Sequence, residues 1–75
     1  MNYEYGEPFL EIKFRKGKGK TAKIKKSLIT DIYEYVNDSR ETIVEVGYMQ
    51  GSQFRSYRFF GTMEEFEKNS KTVFI

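Results

Sequence analysis

The strongest constraint on this chain is a period of two. From Phe9 to Arg15, Leu10, Ile12 and Phe14 point one way, while Phe9, Glu11, Lys13 and Arg15 point the other. That is the pattern of a strand with one face on a core and one in water. It returns at Thr42, Val44, Val46 and Tyr48, with Ile43, Glu45, Gly47 and Met49 opposite. Phe54 to Phe60 reads as the partner of that strand. Turn clusters separate these runs: Lys16-Gly17-Lys18-Gly19-Lys20, Asn37-Asp38-Ser39 and Gln50-Gly51-Ser52. Such residues tolerate the tight backbone of a reversal. Pro8 stands at the start of the first strand, where its missing N–H removes no ladder bond.

Ala22 and Ile24 continue the inner face beyond the glycine-lysine turn, so residues 8–26 read as a β-hairpin. Residues 27–37 admit two readings. Ile29, Ile32, Tyr33 and Val36 fall at helical spacing, and Ser27 would cap such a helix. Six of the nine residues from Leu28 to Val36 are β-branched or aromatic, however, and suit a pleated surface. The balance favours a short bend at Ser27-Leu28 and a strand over 31–36. After Gly61, Thr62 with Glu65 three residues on is a capping box for a short helix that ends near Asn69. Met63 and Phe66 would face the sheet. Thr72-Val73-Phe74-Ile75 is too apolar for an idle tail and is expected to add an edge strand or dock on the core.

Short links demand antiparallel neighbours. The expected fold is mainly β: a five-stranded antiparallel meander curling into a small SH3-like open barrel, one mouth covered by the C-terminal helix. Residues 1–75 form one domain, the first seven expected to be flexible. A chain of 75 residues buries only roughly 60% of its unfolded surface. With no Cys and no His it has neither disulfides nor the common zinc ligands. The core must therefore come from aromatics, seven Phe and six Tyr. No apolar run approaches the roughly 20 residues that span a bilayer. The N-terminus carries acids and lacks the pattern of a signal peptide. The expectation is a cytoplasmic protein with no membrane partner.

Charge is segregated along the chain. Lys13 to Lys26 holds eight cations and no carboxylate, so this stretch is +8 and the remainder −6 behind a net +2. Such separation is the footprint of a surface that meets a polyanion. On the hairpin reading, Lys13 and Arg15 on one arm and Lys23 and Lys25 on the other share the solvent face. Like charges opposed across a ladder cost a few tenths to about 1 kcal/mol per pair, which a bound polyanion would relieve. The competing explanation is that lysines guard an exposed edge strand against aggregation. Arg55-Ser56-Tyr57-Arg58-Phe59-Phe60 interleaves cations with aromatics; Phe54, Phe59 and Phe60 read as core, and Tyr57 and Arg55 as exposed and able to stack on bases.

Other constellations are weaker. Gly19-Lys20-Thr21 resembles the end of a phosphate-binding loop, but the required first glycine would sit at position 14, which is Phe14. Glu64, Glu65 and Glu67 are explained by the helix dipole. Asp31, Glu34, Asp38, Glu41 and Glu45 are expected to form an acidic face that pairs with the hairpin of another subunit. Without His or Cys the usual nucleophile–base arrangements are missing, so no enzyme and no cofactor are expected.

Two resemblances follow from these residues. Ser27 to Glu34, Thr42 to Val46, Gln50-Gly51-Ser52 and Gly61 to Phe66 resemble a pattern in small bacterial β-meander proteins, the FlbD-like flagellar proteins among them. The basic hairpin departs from that pattern, and no function is carried over. In order and charge the chain is also similar to Sso7d-like archaeal chromatin proteins, through Lys23-Ile24-Lys25-Lys26. The leading expectation is a small, weakly sequence-specific DNA- or RNA-binding module. Lys13, Arg15, Lys16, Lys18, Lys20, Lys23, Lys25 and Lys26 would grip phosphates, and Arg55 and Tyr57 would meet bases. The alternative is a phage, prophage or bacterial accessory adaptor that docks on an acidic protein surface or adds a strand at an edge. A homo-oligomer paired through opposite charges is the third reading.

Overall fold

Every stretch that alternates in the sequence is a strand in the computed structural model, which describes residues 6–14 and 20–75. β1 (Pro8–Lys13) pairs antiparallel with β2 (Thr21–Lys25), setting Leu10 opposite Ile24 and Ile12 opposite Ala22. All four side chains are buried. A 3₁₀ turn at Lys26–Leu28 follows, and then β3 (Ile29–Val36), so the bend and strand reading of this segment holds. β4 (Thr42–Gln50) and β5 (Gln53–Phe60) complete a meander with β3. Helix α1 (Met63–Lys68) leads into β6 (Ser70–Phe74).

The expected single five-stranded meander is corrected to six strands in two three-stranded antiparallel sheets, ordered β2-β1-β6 and β3-β4-β5. Two local features cause the difference. The 3₁₀ turn breaks the strand direction after Lys25, so β3 enters the second sheet instead of extending the first. The apolar C-terminal segment returns to β1 and pairs along its free edge, Leu10 opposite Thr72 and Phe9 opposite Val73. β1 thus becomes a central strand. The pairing runs on into Glu7 and Ile75, whose main chains exchange bonds at 3.0 and 3.1 Å. The rest of the N-terminal segment expected to be flexible, residues 1–5, lies outside the described residues, as does the hairpin tip at 15–19.

One bulge decides the second sheet. Ile29 lies opposite Tyr48 and Asp31 opposite Gly47, leaving Thr30 as an extra residue. The bulge lets Ile29 and Ile32, three apart, face the same side. The β4–β5 hairpin turns on Gly51 and Ser52, with Gly51 at φ +63°, as the first central residue of a type II′ turn requires. At the other turn, the Asn37 side-chain oxygen accepts from the Ser39 and Glu41 amides, both at 2.9 Å.

The inner faces of the two sheets meet over one core: Leu10, Ile12 and Ile24 from the first, Val44, Val46 and Phe59 from the second. Phe66 of α1 closes one end, its ring edge-on to Phe59 at 5.5 Å. The capping box fixes the helix. Glu65 N–H donates to Thr62 Oγ1 at 3.1 Å, and Thr62 N–H donates to Glu65 Oε1 at 2.9 Å. Among the described residues no helix is long and apolar enough to cross a membrane.

Phe59 is fully buried. Phe59→Ala is expected to cost about 3–5 kcal/mol, comparable with the whole stability of a domain this size, about 4–11 kcal/mol. Thermal melts followed by circular dichroism should show its cooperative transition lost or greatly lowered. Thr62→Ala, which removes one cap, should cost about 1 kcal/mol and lower Tm by only about 4–8 °C.

Candidate nucleic-acid interface

Antiparallel pairing places directly opposed residues on the same face. On the outer face of the first sheet, Lys23 lies opposite Glu11, Lys25 opposite Phe9 and Lys13 opposite Thr21. The expectation that cations oppose each other across this ladder is therefore corrected for its described arms. Glu11 sits in the centre of the sheet, with Lys23 Nζ at 4.0 Å on one side and Lys71 Nζ at 3.7 Å on the other. Lys25 Nζ is 2.8 Å from Glu7 Oε2. Lys26 turns away and donates to Thr72 Oγ1 at 2.9 Å. Lys13 and Lys20 have no ion-pair partner among the described residues, while Arg15, Lys16 and Lys18 lie outside them.

The acids offset this surface without cancelling it. Lys13, Lys23, Lys25 and Lys71, with Lys68 at the end of α1, stand against the two carboxylates Glu7 and Glu11. These exposed pairs are worth little, about 0–1 kcal/mol each, and exchange readily for another anion. Lys68 and Lys71 were not singled out from the sequence. They join the patch only because β6 returns to β1, whose partners in register lie 58 to 66 residues away in sequence.

The second sheet contributes an aromatic wall. Tyr48, Arg55, Tyr57 and Phe59 share its inner face, with Arg55 opposite Tyr48 and Tyr57 opposite Val46. Near the open end of this face the rings of Tyr48 and Tyr57 stack, 5.4 Å apart and 13° from parallel. Phe14 leans on Tyr57 at 5.6 Å. Beside them β2 ends the first sheet, and the gap forms a groove of about 340 Å³. Phe9, Leu28, Tyr48 and Tyr57 supply its apolar lining, and Lys23 and Lys25 its charged rim. Residues 23, 25 and 57, selected separately from the sequence, thus line one depression. Arg55 flanks it, close enough to Tyr48 to oppose the rise in that phenol's pKa, and its Nη2 donates to Gln53 Oε1 at 3.0 Å.

Phe54 and Phe60, expected in the core, face the other way with Ile43 and Met49. Phe54 is 60% exposed. The parity of β5 allows only Phe59 to reach the core, because Val44 is its partner. The expected acidic face is likewise divided. Asp31 and Glu45 share the outer face of the second sheet, whereas alternation along β3 puts Glu34, three residues after Asp31, on the inner side opposite Val44. Comparison with family models, curated proteins and solved structures finds no match to this chain.

Partial removal from water raises the pKa of Tyr48, and the adjacent Tyr57 hydroxyl raises it further. Tyr35 is raised in the same way, reinforced by its bond to Glu45. A phenol whose folded pKa exceeds its unfolded value of 10.0 contributes stability below that pH and loses it as pH climbs through the folded value. Melting temperature should therefore fall above pH 10, and Tyr48→Phe should flatten that fall while leaving the neutral-pH profile nearly level. Identical alkaline slopes for both proteins would contradict this assignment.

Proposed function

We propose that this protein binds single-stranded nucleic acid with little sequence preference, as a small non-enzymatic module. The observation that carries the reading is the groove that the Tyr48–Tyr57 stack lines together with Lys23 and Lys25. A nucleic-acid strand offers what such a groove complements: flat rings for the aromatic wall and a phosphate every few ångströms for the lysine rim. Bases in a duplex are already stacked and cannot reach Tyr57, so unpaired strands should bind more tightly. Lys13 and Lys20 would extend the cationic track along the hairpin. Arg55 would lie against a base or phosphate beside Tyr48. Glu7 and Glu11 hold the lysines in place until phosphates replace them.

A second reading draws on the edge position of β2, whose Lys23-Ile24-Lys25 segment lines the same groove. An extended acidic peptide added to that edge would also find cations alongside it. The two readings separate in one experiment.

Fluorescence anisotropy with short single- and double-stranded oligonucleotides, at two salt concentrations, tests both. Single-stranded binding should show a log K against log[salt] slope of about −3 if four phosphates are neutralised. Tyr57→Ala should weaken it by about 1–3 kcal/mol, at least roughly fivefold. The double variant Lys23→Glu, Lys25→Glu should weaken it and flatten the salt slope. Absence of binding at low salt removes the nucleic-acid reading, and saturable binding of an acidic extended peptide in its place selects the second.

A further inference from the structure

The outer face of the second sheet lies outside the core cluster and, Met49 aside, outside the groove. Register places Tyr33, Tyr35, Ile43, Met49, Phe54 and Phe60 there. The solvent face of an antiparallel sheet is ordinarily polar. Here aromatic side chains dominate it, and Tyr33 and Phe54 are 45% and 60% exposed. The rings are held in place. Tyr33 and Tyr35 pack at 5.8 Å, and Ile43 is only 3% exposed although it lies outside the core cluster, with Tyr35 and Phe60 opposite it on the two flanking strands. A Cβ at Gly47 would come within 2.8 Å of the Phe54 ring and would also meet the Asp31 carboxylate, so the glycine makes room for both side chains.

The charges on this face are few: Glu45, Arg58 and Asp31. Glu45 Oε1 accepts from Tyr35 Oη at 3.1 Å and lies 3.7 Å from Arg58 Nε. Asp31 is the one further acid that register places here. We propose that this face pairs with the same face of a second copy of the chain, through a two-fold axis. Charge decides against the rival arrangement, in which it would meet the lysine-rich face of another copy. With Glu45 committed to Arg58 and Tyr35, only Asp31 remains to answer those lysines. A head-to-tail contact of that kind would also propagate into open chains instead of closing. Against its own kind the face brings apolar rings together and carries little net charge to repel.

Its size sets the expected strength. Three strands of eight or nine residues give a face of about 28 by 14 Å, roughly 400 Å² per copy. Twice that falls below the roughly 1,200 Å² at which stable interfaces begin, so the dimer should be weak and transient. The inference does not depend on the nucleic-acid reading, since it concerns the opposite side of the core.

Sedimentation equilibrium across roughly micromolar to millimolar protein tests it without any ligand. The mass should rise towards twice 8.9 kDa and persist in high salt. Phe54→Lys and Tyr33→Lys, each checked for a native melt, should raise the dissociation constant tenfold or more, while Lys71→Glu should leave it unchanged. A monomer at every concentration overturns the proposal, as does association abolished by salt or by Lys71→Glu. Should the lysine variants unfold, amide shifts of the wild-type chain on dilution decide: changes at Tyr33, Phe54 and Arg58 support the pairing, and changes confined to Lys23, Lys25 and Lys71 refute it.

Discussion

The double pairing of β1 is the constraint from which the rest of the molecule follows. By bonding to β2 on one side and β6 on the other, β1 joins the two ends of the described chain into one sheet. Its inward residues, Leu10 and Ile12, then form the floor onto which Val44, Val46, Phe59 and Phe66 close. Without β6 the strand would be an edge, and Ile12, now fully buried, would lack one flank of its cover. The same pairing decides where the charges lie. It brings Lys71 to one side of Glu11 and Lys23 to the other, and it leaves β2 on the margin beside the aromatic groove.

The central carboxylate resolves a conflict that the sequence poses. A ribbon of unopposed lysines would weaken its own ladder, and a fully neutralised one would have nothing left for a partner. Glu11 between two lysines sits between these limits, since one carboxylate stabilises both neighbours yet matches only one. Solvent-exposed ion pairs contribute so little that their exchange for phosphate costs the fold almost nothing. Local stability and a residual positive field are thus compatible on the same three strands.

The strands, the hairpins, the capped helix, the shared face of 10 and 12 with the inward 22 and 24, and the shared face of 44 and 46 were legible because each depends on neighbours a few residues away. What escaped was long-range or parity-dependent. The helical spacing of Ile29 and Ile32 was a genuine signal with the wrong cause, since a single extra residue at Thr30 gives a strand the same i, i+3 coincidence of face. The assignment of Phe54 and Phe60 to the core rested on hydrophobicity alone. In a period-two element, Phe59 inside commits Phe54 and Phe60, both of opposite parity, to the other side. Of the candidate site, Lys23, Lys25 and Tyr57 were found from composition and alternation. Tyr48, Phe9 and Leu28 were not, because nothing local says that the edge of one sheet will stand beside the open end of the other.

The two surfaces also differ in how they relate to the core. The inner faces of the sheets are packed together, so the aromatic outer face of β3-β4-β5 and the lysine-bearing outer face of β2-β1-β6 point away from each other. A pair formed through the former would leave the latter, and the groove beside it, open on both copies. On the proposed nucleic-acid reading, two such grooves held in one pair would act on a single strand as a linked pair, the second contact made at an effective concentration set by the spacing of the grooves and not by the bulk. That linkage would supply affinity that a 75-residue chain has little surface to build alone.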